Sequence, residues 1–394
     1  MSGMSEPFYL HARAGSSAPA LGSAEGVRVL GIEVTQVIQD MDHSVPLIAG
    51  KATVVRVYLD HRSLASATKV SGEISWQRSG GSSYLPAVNA MEITPASPRT
   101  LDAQRSEVKY SMNFRLPAKA TAVGKLRLRL KRVFKPGTAD LPIAADRSGV
   151  EVEFHEAPPL RIKVIGLRYK KDGRSLAPAA VDFAYLRSYL ARAYPVARVE
   201  WSQIVVPADF TAPFGTREIA AIANAQIAAI RSREVSDGVD PHTHYFGLVT
   251  DDGGKEFMRG LAFDIPETPS PDVVASAPCG APDGYAGDQD ESYADWYGAH
   301  ELAHTMGRYH PGYPRKDQDP DDKQFPFEDG QLSDTTGVAQ VRFVGFDTGD
   351  PQLDFPMQAL HGARFHDVMT YMENQWLSSH TYVAIFERLK AENE

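Results

Sequence analysis

"WYGAHELAHTMGRYHPG", residues 296–312, decides how the rest of the chain is read. His300 and His304 stand four residues apart, so on a helix both imidazoles project from one face and can grip one ion. The flanks carry helix signals. Ser292 with Asp295 three residues later has the pattern of a capping box, acidic residues crowd the first turn, and Gly307 stands where a left-handed C-cap belongs. A sharp turn at Gly307 brings His310 back as a third nitrogen. Glu301 is placed to reach a water on the ion while the histidines coordinate it. The competing reading is an ordinary amphipathic helix rich in histidine. Five fixed residue types in a helix-plus-turn context favour the metal reading.

Three histidines suit one zinc ion per chain. A set of three leaves the fourth position open for water, which separates a catalytic site from a closed structural one. The ion lowers the water's pKa toward ~7 and polarises a substrate carbonyl. Glu301 then takes the water's proton as general base and passes it to the leaving amine. Those parts predict a zinc-dependent endopeptidase.

The pattern HExxHxxGxxH resembles the signature of the metzincin clan, which includes the astacin, serralysin, adamalysin and matrixin families. The resemblance implies that His300, His304 and His310 are the zinc ligands, Glu301 the general base and Gly307 the signature glycine. It also implies a methionine turn beneath the metal. "DVMTY", residues 367–371, is similar to that turn, with Met369 as its methionine; Tyr371 then matches the tyrosine that astacin-like and serralysin-like members place near the metal. Met372 is the rival methionine, but only Met369 puts a tyrosine at the expected offset. Cys279, in "SAPCGAPDG", is reminiscent of the matrixin cysteine switch and is a possible latency ligand. No arginine precedes it, and it lies inside the catalytic region rather than ahead of it.

Working outward, the order of elements from residue 157 also fits that clan. "LRIKVIGL" reads as a strand, "AAVDFAYLRSYLARAY" as a helix, "RVEWSQIVV" as a strand, "TREIAAIANAQIAAIRSRE" as a helix and "HYFGLVTD" as a strand. "RGLAFD" is then the antiparallel edge strand bordering the cleft, and "DVVASA" a further strand leading to the motif. "SSHTYVAIFERLK" is the closing helix. Upstream the period changes to two. Runs at 27–39, 52–60, 69–77, 106–117, 125–133 and 150–156 alternate apolar with polar residues, and no convincing helix interrupts them.

The predicted fold class is therefore multidomain α+β: an all-β sandwich followed by a metzincin-like α/β domain with a mixed, mostly parallel sheet and the active-site helix. Residues 1–24 read as a flexible tail, 25–156 as an immunoglobulin-like β-sandwich, and 157–394 as the peptidase domain. A chain of 394 residues is comfortable as two cores.

The formal net charge of -9 argues against general affinity for nucleic acid. No apolar run is long enough to span a membrane. One cysteine excludes an intrachain disulfide framework and a cysteine-based zinc ribbon. An extracellular location is expected, although the first residues hold no apolar core of a secretory signal; export then uses a removed leader or another route. The long stretch 311–366, rich in Asp, Gly and Pro, reads as loops, and its aspartates are candidate calcium ligands without EF-hand spacing. His242 and His244 on one strand face, with His366, are side candidates for a second metal. The expected partner is a protein or glycoprotein substrate, and the expected state a monomer. Two alternatives stand beside the general peptidase: a glycoprotein- or mucin-directed metalloprotease, and a catalytically silent zinc-binding adhesion protein.

Overall fold

Alternation builds the first part of the chain. In the strand Gly124–Phe134, Leu126, Leu128 and Leu130 turn inward while Lys125, Arg127 and Arg129 face water. A bulge then sets Lys131 and Arg132 both outward and re-phases the strand so that Val133 is buried. The computed structural model describes residues 26–394 except 63, 79–80, 139, 145–147, 212–214, 252–259, 282–290, 314–321 and 337–339. The expected tail 1–24 lies outside the described residues.

Two sheets, antiparallel except where Leu47–Ile48 joins Gly149–His155 in parallel, share one core. The first sheet runs in the order Arg28–Thr35, Val54–Asp60, Met112–Arg115. The second runs Leu47–Ile48, Gly149–His155, Gly124–Phe134, Thr68–Arg78, Gly81–Pro86, with Met91–Ile93 also paired to Thr68–Arg78. Val55, Val57 and Phe114 from the first sheet and Ile74, Trp76, Leu126 and Phe154 from the second belong to a single buried cluster. Helical structure does interrupt this region, contrary to the pattern reading: Leu101–Arg105 is a short α-helix and Val108–Tyr110 a 3-10 turn. Only Met112–Arg115 of the run 106–117 is strand. Thr100 accepts from the Ala103 N–H as an N-cap, a signal that the alternating residues around it obscured.

The second part is built on a sheet covered on both faces. Leu160–Lys171 is flanked in parallel by Val199–Pro207 and His244–Thr250, and the latter pairs in parallel with Ala275–Cys279. Leu261–Ala262 closes the edge in antiparallel sense. Ile162 and Val164 point to one face, where helix Ala180–Ala193 and the motif helix Ala294–Thr305 pack. Ile165 and Leu167 point to the other, under helix Arg217–Ser236. Burial on both faces explains the apolar run Val164–Leu167. Among the described residues the chain is thus mixed α+β, with five α-helices and several sheets. None of the helices is long and apolar enough to cross a membrane.

The stretch 311–366 is more than loops. Val344–Asp347 and Gln358–His361 pair with each other, and Val344–Asp347 pairs with Ile38–Gln39 from far upstream. Each strand is too short to show a period. Val37, Ile38, Val45 and Ile48 enter the same buried cluster as the motif helix. The Trp376 indole N–H donates to the Val37 carbonyl at 2.8 Å. Upstream residues thus brace the ground beneath the motif.

Lys51 makes one of these joins measurable. Its buried ammonium donates to the carbonyls of Ala191, at 2.6 Å, and Val196, at the C-terminal end of helix Ala180–Ala193. Burial pushes its pKa down to about 7, with Asp347 opposing that shift. The folded chain therefore binds fewer protons at this site than the unfolded chain between about pH 7 and the ordinary lysine range. Stability from this group rises with pH across that window. Urea midpoints at pH 7 and pH 9.5 should rise in the wild type more than in Lys51→Met, which has no proton to release; equal slopes would remove Lys51 as the cause.

Candidate metal centre

The motif helix runs Ala294–Thr305. Its start differs from the capping box read from the sequence: Tyr293 occupies the N-cap and its hydroxyl donates to Asp251 rather than capping the helix, while the Ser292 hydroxyl donates to Asp182 at 2.6 Å. Ser292 Oγ still accepts from the Ala294 N–H. A buried carboxylate on the neighbouring helix outcompetes the local cap. The stop is as expected. Gly307 has φ 77, its N–H donates to the His304 carbonyl, and the Arg308 N–H reaches back to Ala303. A Cβ at Gly307 would also stand 2.3 Å from Arg388 Nη2 and 2.7 Å from the Pro266 carbonyl, so both conformation and space require glycine.

His300, His304 and His310 come together and are all buried. Their Nε2 atoms form a triangle: 3.1 Å from His304 to His300 and 3.2 Å from His310 to each. His300 Nδ1 lies 2.7 Å from the Val368 carbonyl and His304 Nδ1 lies 2.6 Å from the Arg308 carbonyl. A carbonyl only accepts, so those Nδ1 atoms carry the protons and the Nε2 lone pairs face inward. Converging lone pairs repel unless a cation sits among them. Tetrahedral ligands ~2.05 Å from zinc stand about 3.3 Å apart, close to the observed triangle. The donor set therefore fits a metal ion. Burial, then His310, pushes the His304 pKa down to about 3, which keeps its imidazole neutral and ready to ligate.

Glu301 shares the helix but faces the edge strand. Burial pushes its carboxyl up to about 8, and a hydrogen bond from the Ala262 backbone N–H opposes that shift. Gly260 lies against it: a Cβ there would come within 2.4–2.6 Å of Glu301 Cγ, Cδ and Oε1. Gly260 has φ 151, so backbone and carboxylate pack together where no side chain fits. Tyr371 packs against the histidine cluster. The Tyr371 ring centroid stands 4.9 Å from that of His310 and 5.7 Å from that of His300. Met369 is buried in the core that carries the motif helix, one residue after the carbonyl that holds His300. A cavity of about 240 Å³ is lined by Trp296, Met372 and Trp376 over Tyr189 and the Arg192–Asp347 pair, and none of the three histidines, Glu301 or Tyr371 lines it. Trp296 lies one helical turn before His300 on the same face.

Other sequence candidates fall elsewhere. Cys279 is wholly buried on strand Ala275–Cys279, its thiol pushed well up by burial and bonded with Asp182; it stands outside the histidine cluster. His242 precedes its strand and pairs with Asp240, while His244 meets Glu392 at 3.0 Å. His366 stacks on Tyr313. Among the described residues only the three motif histidines form a group able to hold a metal ion. The acidic run 317–321, considered for calcium, lies outside the described residues; Asp322 beside it meets His380 at 2.8 Å, and Asp347 and Asp350 are bonded to Arg192 and Ser188. The sequence reading missed Asp182, Ala262 and Asp367, whose roles depend on contacts far along the chain.

No family model and no curated protein matches the chain. Among solved structures, the crystal structure of metalloproteinase-II from Bacteroides fragilis is similar at 12% identity and a TM-score of 0.27, over 80% of this chain and 90% of that one. A likeness of that size carries no argument, so the reading of the site rests on its own geometry.

Proposed function

We propose that the chain is a zinc-dependent endopeptidase of metzincin type, carrying an immunoglobulin-like sandwich ahead of the catalytic domain. The observation that carries the reading is the triangle of three Nε2 atoms, with a buried carboxylate, Glu301, on the helix that carries two of them. His300, His304 and His310 would hold zinc there, which would supply Lewis acidity and lower the pKa of a water. Glu301, bonded by the Ala262 N–H, would act as the general base and pass the proton to the leaving amine. Tyr371, packed against His300 and His310, directs its phenol to the developing oxyanion.

The test pairs metal content by mass spectrometry with cleavage of casein before and after chelation. About one zinc per chain, cleavage abolished by chelation and restored by zinc are expected. A metal-free wild type rejects the reading. Zinc without cleavage of any peptide favours the silent scaffold, and cleavage confined to glycosylated mucin favours the glycoprotein-directed enzyme.

A further inference from the structure

Asp367 immediately precedes the Val368–Tyr371 turn and is completely buried. Its carboxylate is divided between two backbone donors. The Met369 N–H reaches Oδ1 at 2.8 Å, and the Ser378 N–H reaches Oδ2 at 2.9 Å. Its own carbonyl accepts from the Thr370 N–H at 2.9 Å and the Thr370 hydroxyl at 2.8 Å. Ser378 is the N-cap of helix Ser379–Glu392, so one carboxylate ties the turn to the start of a packed helix. Inside that frame sits Val368. Its N–H donates to the Trp376 carbonyl at 2.7 Å, and its own carbonyl accepts from His300 Nδ1 at 2.7 Å.

We propose that Asp367 is a positioning residue for the metal centre: it presents the Val368 carbonyl to His300, fixing the protonated nitrogen of that ring and the direction of Nε2. The inference rests on the zinc reading above. A carboxylate suits the task because both its oxygens accept. An asparagine can serve one of the two N–H groups and must turn its own NH₂ toward the other, so the turn loses one anchor. Groups that orient a ligating histidine tune metal affinity through the ring they hold.

The test compares zinc affinity by chelator competition in wild type, Asp367→Asn, Asp367→Ser and Thr370→Val, alongside melting of each metal-free chain. Asp367→Asn and Asp367→Ser are expected to bind zinc roughly 10–100-fold more weakly. Thr370→Val, which keeps the carboxylate, should stay within about threefold of wild type, since it loses only the hydroxyl's bonds to the Asp367 carbonyl and the Met372 N–H. Either folded Asp367 variant binding zinc as wild type does overturns the proposal. Nitrogen NMR of the zinc-loaded wild type gives a second arm that needs no variant. Protonated Nδ1 on His300 is expected, and ligation through Nδ1 overturns the proposal. A wild type that binds no zinc rejects the metal centre itself, a different result from zinc binding that ignores Asp367.

Discussion

Glu301→Gln is expected to lower peptide cleavage by about 10²–10⁴-fold while leaving about one zinc per chain, because the three ligands remain and only the proton acceptor is lost. That range is roughly 3–5 kcal/mol of barrier. Glutamine keeps the shape of a side chain buried between the motif helix, Gly260 and Ala262. Misfolding therefore should not mimic the loss. Retained zinc with wild-type kcat would remove Glu301 from the mechanism. Loss of zinc together with activity would make it part of the metal's support instead.

The second large effect concerns stability. Glu33 is 1% exposed and sits between Arg105 at 2.6 Å and Arg56 at 3.5 Å, both buried, and it accepts from the Tyr58 hydroxyl. Arg105 extends the network to the carbonyls of Gln39, Val341 and Arg342. Arg56 lies over the Phe346 ring. Glu33→Ala leaves two buried guanidinium groups without their carboxylate, which costs about 3–5 kcal/mol. The urea midpoint should fall accordingly. Hydrogen exchange should quicken first in Val344–Asp347, the strand that these contacts hold against Ile38–Gln39. A midpoint within experimental error of wild type would show that water or a rearranged partner satisfies the arginines.

Gly307 shows why the motif was legible. A left-handed turn after a helix is a demand on one residue, and only glycine meets it cheaply, so the signal survives in the linear chain. His300 and His304 are legible for the same reason, since helical spacing alone puts them on one face. Ser292 shows where local reasoning fails. It has the right type at the right offset for a cap, but Asp182, 110 residues earlier, takes its hydroxyl. Strands Val344–Asp347 and Gln358–His361 are hidden in the sequence because four residues are too few for a period, and the former also pairs with Ile38–Gln39, far upstream.

The sequence by itself determined which three histidines gather at the candidate centre, because ligand type, helical spacing and the glycine stop are local properties. It also determined the β-rich first part and the sheet with helices of the second, through period-two alternation in one and the succession of strands and helices in the other. Only the tertiary structure decided what holds the chemistry in place: the Val368 carbonyl on His300, the Ala262 N–H on Glu301, and the buried Glu33 network under the strand Val344–Asp347. Those are backbone donors and acceptors and buried charges, whose partners are chosen by the packing of distant segments.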